Sequence, residues 1–389
     1  MRNLLFLAVR YLRFHRFRTV ILLLTLTSLL YLPLAVILIT DISQQSLTLR
    51  AESTPVIIGS RGSDLDLVMN ALYFQPSQLR TVPYSLLDEL NHEERGRPVP
   101  FFLGDTARGY PVAGTSPAYF SERNLRVAEG YMITGLGECV LGSRVAESLG
   151  LKPGDRIITD PENPYHLAGS YPLELKVTGI LEASAGWDDR AIFTDIRTAW
   201  IARGLGHGHD ELAGEQGTVL KEEKGNLVGN ASVRMYNRID PENRNDFHFH
   251  GSTADFPLSG ILFFPDSSRS EAMILSAYGE HSLLQAVEPD KVILKLLDTL
   301  FRIREILNWV LGVTLTITTG AVVFILVLTV RLRKAESLTL YRMGGSRSLI
   351  VRLTAVETFI LGIISFLISL LLLGVTWLFR LNILDLLIQ

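Results

Sequence analysis

Arg331-Leu-Arg-Lys-Ala-Glu-Ser-Leu-Thr-Leu-Tyr-Arg-Met-Gly-Gly-Ser-Arg347 stands between two long apolar stretches. Its reading decides the architecture, because membrane helices on either side would hold it to one face of a bilayer. The flanking runs are Trp309 to Val330 and Leu353 to Phe379, and a third, Phe17 to Ile39, lies near the start. Each is about 20 residues or longer, enough to cross a hydrocarbon core at roughly 1.5 Å per residue. The chain has 389 residues, 48% hydrophobic and 20% charged, with mean hydropathy +0.26. That is too apolar for an ordinary soluble enzyme and too charged for a polytopic bundle, so the apolar content is localised. The sequence from Asp41 to about Leu300 is of soluble type.

Charge orients the spans. Arg2, Arg10, Arg13, Arg16 and Arg18 precede or open the first run, while Arg331, Arg333, Lys334, Arg342, Arg347 and Arg352 fill the gap between the second and third. Cytoplasmic segments carry such an excess, so both are placed inside. With these set aside, together with Arg380, Glu336, Glu357 and Asp385, residues 41–330 carry a charge of about −12, against −3 for the whole chain. An acidic outer domain is not built for nucleic acid. The first run is longer than the apolar core of a signal peptide and lacks an Ala-x-Ala cleavage pattern, so it reads as a retained anchor. Leu4, Leu5, Leu7, Ala8, Tyr11 and Leu12, opposed by Arg10 and Arg13, have the pattern of an amphipathic helix in the inner interface. A cytoplasmic extension of the first span fits the same residues.

The expected organisation follows: 1–16 an amphipathic cytoplasmic helix, 17–40 the first span, 41–289 an extracytoplasmic α+β domain, 290–308 a stalk helix, 309–330 the second span, 331–352 a cytoplasmic coupling segment, 353–379 the third span and 380–389 an interfacial C-terminus. Strand-like runs at Val56–Ile58, Pro111–Ala113, Cys139–Leu141, Arg156–Thr159, Leu173–Ile180 and Ile261–Phe264 alternate with helix-like runs at Leu65–Leu72, Tyr84–Asn91, Arg144–Leu149 and Ser268–Tyr278. Gly204 to Phe256, rich in Gly, Asn, Asp, Glu and His, reads as a long irregular insertion. Val292, Ile293, Leu296, Leu297, Leu300 and Ile303 recur at helical spacing with no Gly or Pro before Trp309, so the stalk should run unbroken into the second span.

Chemistry-bearing motifs are few. No Gly-x-x-x-x-Gly-Lys-Ser/Thr occurs, so no Walker site hydrolyses nucleotide here. Gly135 to Gly142 reads as turn plus strand. There is no Gly-x-Ser-x-Gly and no His-Glu-x-x-His, and Cys139, the only cysteine, excludes an intrachain disulfide. Asp188-Asp189 reads as a solvated turn. His207-Gly-His209-Asp-Glu211 and His248-Phe-His250 carry metal-ligand chemistry. Both fall in the irregular insertion, whereas a metal site wants ligands on rigid elements; the expectation is an exposed polar loop with no resident metal or cofactor. The first two spans carry no charge in their interiors and Glu357 lies near the inner end of the third, which argues against a proton- or ion-driven pump. In the inner segment, a helix over Ala335 to Met343 would expose Leu338, Leu340, Tyr341 and Met343, with Gly344-Gly345-Ser346 turning the chain back. That is more apolar bulk than a plain basic topogenic loop needs.

Leu340-Tyr-Arg-Met-Gly-Gly-Ser-Arg347, followed by Leu353-Thr-Ala-Val-Glu357, resembles the permease subunits of the MacB-like, FtsX-like family of ABC transporters, the mechanotransmission type. Val112-Ala-Gly-Thr-Ser-Pro-Ala-Tyr119, Glu138-Cys-Val-Leu-Gly-Ser-Arg-Val-Ala-Glu-Ser-Leu-Gly-Leu-Lys-Pro-Gly-Asp155, Val177-Thr-Gly-Ile-Leu181 and Pro55-Val-Ile-Ile-Gly-Ser-Arg-Gly-Ser-Asp64 look like that family's periplasmic core domain. The resemblance implies a non-catalytic permease in the bacterial inner membrane, acting as a homodimer with a separate P-loop ATPase. A periplasmic adaptor or lipoprotein is a further partner in some members. Carried onto this chain, the ATPase contact falls on Glu336, Leu340, Tyr341, Arg342, Met343, Gly344, Gly345 and Ser346. The family has four spans, whereas only Arg380 to Gln389 follow the third here, so a three-span relative is expected. The rival expectation is a membrane-anchored receptor or adaptor without ATP coupling; a tethered metal-dependent hydrolase using the histidines ranks behind both.

Overall fold

A computed structural model describes residues 2–161, 172–184, 186–209, 219–223, 226–229, 236–332, 342 and 347–379. The chain forms two compact units: residues 1–46 with 297–389, and residues 47–296.

In the first unit the helix Arg2–Phe14 is followed by Arg16–Glu52, and the helix Arg347–Leu378 follows later in the chain. Among the described residues, Arg16–Glu52 and Val351–Leu378 are long and apolar enough to cross a membrane. They touch through small polar side chains: Ser365 Oγ donates to the Leu23 carbonyl at 3.5 Å, Ser369 Oγ to Thr27 at 3.2 Å, and Tyr31 meets Thr376 at 2.9 Å between hydroxyls. The partners advance together along both helices, so these helices run parallel. Leu24, Leu32, Phe359, Phe366 and Leu371 point outward and are exposed, a surface that suits lipid and not water.

The second unit is an α+β fold on a mixed ten-stranded sheet. Its strand order is Leu284–Val287, Val56–Ser60, Gly260–Pro265, Gly96–Ala107, Tyr110–Thr115, Ile192–Asp195, Glu138–Leu141, Glu174–Leu181 and Val127–Gly130, with Arg156–Ile158 also pairing with Glu174–Leu181. Tyr110–Thr115 runs parallel to Ile192–Asp195, and Glu138–Leu141 parallel to Glu174–Leu181; the other named pairs are antiparallel. The central strands are apolar without alternation because both faces are covered. Val56 and Ile58 join Phe102, Trp200 and Phe263 in one core, while Phe101 and Phe193, on the opposite side of their strands, meet Phe74, Tyr119 and Phe120 in an aromatic layer with ring centroids 5.4–6.5 Å apart.

All six strand-like and all four helix-like runs of the outer domain coincide with elements to within about two residues. Among the elements not read from the sequence were the twelve-residue strand Gly96–Ala107, the strands Ile192–Asp195 and Leu284–Val287 and the helix Ile196–Ala202. Two readings need correction. Asp188-Asp189 is no solvated turn: both residues are buried, at 4% and 2% exposure, in the short helical turn Trp187–Arg190. The stretch Gly204–Phe256 is not irregular at its ends, where Gly206–Gly208 pairs with Phe247–Phe249 in a two-stranded ribbon.

Gly142 shows why the Trp187–Arg190 turn sits where it does. A Cβ at Gly142 would lie 2.4 Å from the carbonyl oxygens of both Asp188 and Asp189, so only glycine lets the backbones meet. Backbone cannot swing aside as a side-chain tip can. Gly142→Ala is therefore expected to destabilise this unit by about 1–3 kcal/mol, read as a lower urea midpoint for loss of protease resistance.

Candidate functional site

The last turns of Arg16–Glu52 belong to the second unit and are fastened into it. No Gly or Pro interrupts the helix after Pro33, so it continues until Ser53-Thr54-Pro55 stops it. Arg50, one turn before that stop, is buried in the aromatic layer. Its guanidinium forms a fork with Asp188, Nη1 to Oδ2 at 2.6 Å and Nη2 to Oδ1 at 3.0 Å, and lies 5.1 Å from the Phe74 ring centre. Nε donates to the Leu72 carbonyl, and Nη2 to the Tyr119 hydroxyl at 3.2 Å. Tyr119 in turn donates to Asp188 at 2.6 Å. Burial by itself would raise the Asp188 carboxyl, but the adjacent Arg50 charge and hydrogen bond, with Arg123 and Tyr119, hold it down at about 2.

Three further bonds tie the same helix end. Tyr73 donates to the Leu47 carbonyl at 2.7 Å, and Arg123 reaches Thr54 Oγ1 at 2.7 Å and Ser53 Oγ at 3.3 Å. A short link then leads into Val56–Ser60. That strand pairs with Leu284–Val287, Ile57 opposite Val287 and Ile58 opposite Ala286. From Val287 the chain passes through Glu288 alone into the 44-residue helix Pro289–Leu332. Two long helices therefore attach at the same end of two neighbouring strands. Sequence reading missed this clamp; its only signal was an arginine soon after an apolar run, which resembles any interfacial anchor.

The cleft beside the clamp was likewise illegible. It measures about 730 Å³ and is lined by Phe120, Leu125, Met132 and Ile133 together with Arg126 and Arg197. Asp195 also stands at its wall, so the cleft suits an amphiphilic ligand with an apolar body. Cys139 is buried in the sheet, and burial pushes its thiol far above the reactive range.

Of the residues expected to contact an ATPase, Arg342 is described, as exposed and helical. Glu336, Leu340, Tyr341, Met343, Gly344, Gly345 and Ser346 lie outside the described residues, as does 380–389.

The histidines are brought together. His207 and His248 are directly opposed in the ribbon, and His209 and His250, two residues on, fall on the same face. Ring centres of His207 lie 4.8 Å from His248, 4.9 Å from His250 and 5.5 Å from His209. Burial, then the neighbouring imidazoles, holds the His207 pKa below its usual value.

Comparison with known proteins gives a family model described as the MacB-like periplasmic core domain, matched over residues 35–231. Among solved structures the chain is similar to the extracellular domain of the noncanonical ABC-type transporter YknZ from Gram-positive bacteria, at 11% identity and TM-score 0.33, covering 60% of this chain and 98% of that one. It is also similar to the periplasmic region of MacB from Actinobacillus actinomycetemcomitans, at 10% identity and TM-score 0.35, covering 63% and 94%. No match is found among the curated proteins. A family match spanning half the chain, on motifs that lie in the sheet and around the clamp, makes this protein a member of the MacB-like periplasmic core domain family and so of the MacB-like, FtsX-like ABC transporter permeases.

Proposed function

We propose that this chain is a permease subunit, spanning the membrane at residues 17–40, 309–330 and 353–379, that transmits the work of a separate cytoplasmic ATPase to its extracytoplasmic domain. Family membership implies an ABC ATPase partner and a permease that is itself non-catalytic. The observation that carries the reading is the attachment of Arg16–Glu52 and Pro289–Leu332 to adjacent strands, one of them through a buried arginine clamp. Displacement of either helix along its axis would pull directly on the sheet, because no flexible linker stands between.

Topology agrees with this reading. Arg16–Glu52 and Arg347–Leu378 run parallel, so the chain must return across the membrane between them, and the apolar part of Pro289–Leu332, residues 309–330, is long enough to do so. With the basic segments inside, the N-terminus and residues 331–352 face the cytoplasm of a bacterial inner membrane and the 47–296 unit faces outward. Residues 336–346 are the dock for the ATPase, and a second copy of the permease completes the machine. The cleft near Phe120 favours an apolar or amphiphilic cargo, such as a lipidated peptide or small hydrophobic molecule, delivered directly or through an adaptor.

The test is co-purification from the native membrane. Wild type should bring down a P-loop ATPase in stoichiometric amount, and Tyr341→Ala with Arg342→Glu should release it while leaving the permease in the membrane. Recovery without any P-loop ATPase, or undiminished transport by the double variant, overturns ATP coupling and leaves a membrane-anchored receptor or adaptor.

A further inference from the structure

The ribbon formed by Gly206–Gly208 and Phe247–Phe249 has two chemically opposite faces, and a simple alternation produces them. Side chains of successive strand residues point to opposite sides. One face carries Gly206 and Gly208 across from Phe249 and Phe247. Phe247 is buried in the core with Cys139, Leu141 and Val177, and Phe249 packs against that core and against the one around Trp200. The glycines are what let those rings lie over the partner strand: a Cβ at either position would sit 2.7 Å from a ring carbon. The ribbon is thereby fixed to the domain by two aromatic anchors.

Four imidazoles face the other way. His207 and His248 stand opposite each other with His209 on one side of the pair and His250 on the other, and the side-chain nitrogens of His207, His209 and His248 all lie within 4.8 Å of one another. His250 Nε2 comes to 3.4 Å from His207 Nε2. Two nitrogens each about 2.05 Å from a tetrahedral ion stand roughly 3.3 Å apart, so this pair already has the spacing of a bound zinc. His248 Nδ1 lies 3.0 Å from the Asp246 carbonyl oxygen. A carbonyl only accepts, so Nδ1 carries the proton and the Nε2 lone pair is directed away, as in metal-ligating histidines held by a backbone partner. Three of the rings are half-buried while His250 is exposed, which leaves a path for an ion from solvent.

The imidazoles of His207, His209 and His248 form a donor set suited to zinc or another late first-row divalent ion, and unsuited to magnesium or calcium. From this geometry we propose that His207, His209 and His248 form a zinc-class metal site on the ribbon, with the exposed His250, beside His207, turning in as the fourth ligand. With four nitrogen ligands the coordination sphere is closed, so the site holds metal and does not hydrolyse. Bound metal would cross-link the two strands of the ribbon. The site is independent of the ATPase-coupling reading.

The experiment uses the full-length chain in detergent, purified without a histidine tag, stripped with chelator, equilibrated with zinc chloride and passed through gel filtration. One zinc per chain should remain in the wild type, and replacement by cobalt(II) should give the intense visible absorption of tetrahedral nitrogen coordination. His207→Ala with His248→Ala should retain none while eluting as wild type does, His250→Ala alone should weaken binding by more than about tenfold, and His92→Ala with His281→Ala should bind as wild type. If the half-buried pair impairs folding, the exposed His250→Ala variant and the cobalt spectrum of the wild type still decide. No retained zinc in the wild type, an octahedral cobalt spectrum, or unchanged binding in the His250→Ala variant overturns the proposal.

Discussion

Asp188→Ala is expected to destabilise the 47–296 unit by about 3–5 kcal/mol, since it leaves the Arg50 guanidinium buried without its counter-charge. The two side chains are 7% and 6% exposed, so water cannot take over the role of the missing carboxylate. Replacing both partners with apolar residues of similar size, Arg50→Met with Asp188→Leu, should recover much of the loss, because the pair must offset its own desolvation. Acid should act on the same contact. The Asp188 carboxyl lies at about 2 in the folded protein against 3.8 ordinarily. A depressed acid contributes stability that is fully present above its ordinary value and is lost as pH falls through the folded one, here about 2 kcal/mol between pH 4 and 2. Urea midpoints followed by proteolysis should therefore fall faster over that window in wild type than in Asp188→Asn. Equal acid slopes in the two proteins, or a cost for Asp188→Ala below 1 kcal/mol, would sink the clamp as a buried ion pair.

Insertion of three glycines after Glu288 is expected to abolish transport while ATP hydrolysis by the bound partner persists. Only Glu288 separates strand Leu284–Val287 from helix Pro289–Leu332, so axial movement of the helix reaches the sheet undiminished. Three added glycines supply roughly 10 Å of slack, comparable with two helical turns and larger than a helix displacement of one turn. The same insertion within the ribbon-bounded stretch, after Glu242, should leave transport intact and serves as control. Normal transport by the Glu288 insertion would mean that this helix does not drive the domain, and the rigid-lever reading would have to be abandoned.

The strands and helices of the outer domain were legible because Val56-Ile-Ile58, Cys139-Val-Leu141 and Ile261-Leu-Phe-Phe264 are compact apolar runs bounded by turn formers, and such runs specify themselves locally. The strand Gly96–Ala107 was not, since Pro98, Pro100 and Gly104 disguise it; its pairing with Gly260–Pro265 and Tyr110–Thr115 supplies what local propensity lacks. Asp188-Asp189 misled for a related reason. Adjacent acids are ordinarily solvated, and only the arrival of Arg50, 138 residues earlier in the chain, makes burial of Asp188 tolerable.

By itself, then, the sequence determined the apolar helices, the α+β character of the outer domain and the family, because each is written in composition, periodicity or short motifs that act over a few residues. Tertiary structure alone decided which strands neighbour one another, that both long helices attach to adjacent strands, that Arg50 is clamped by Asp188, and that four histidines from the two ends of an insertion share one face. Those facts depend on contacts between residues far apart in the chain. The identity of a single residue carries no record of its distant partner; the register of a ribbon and the close approach that a glycine permits do.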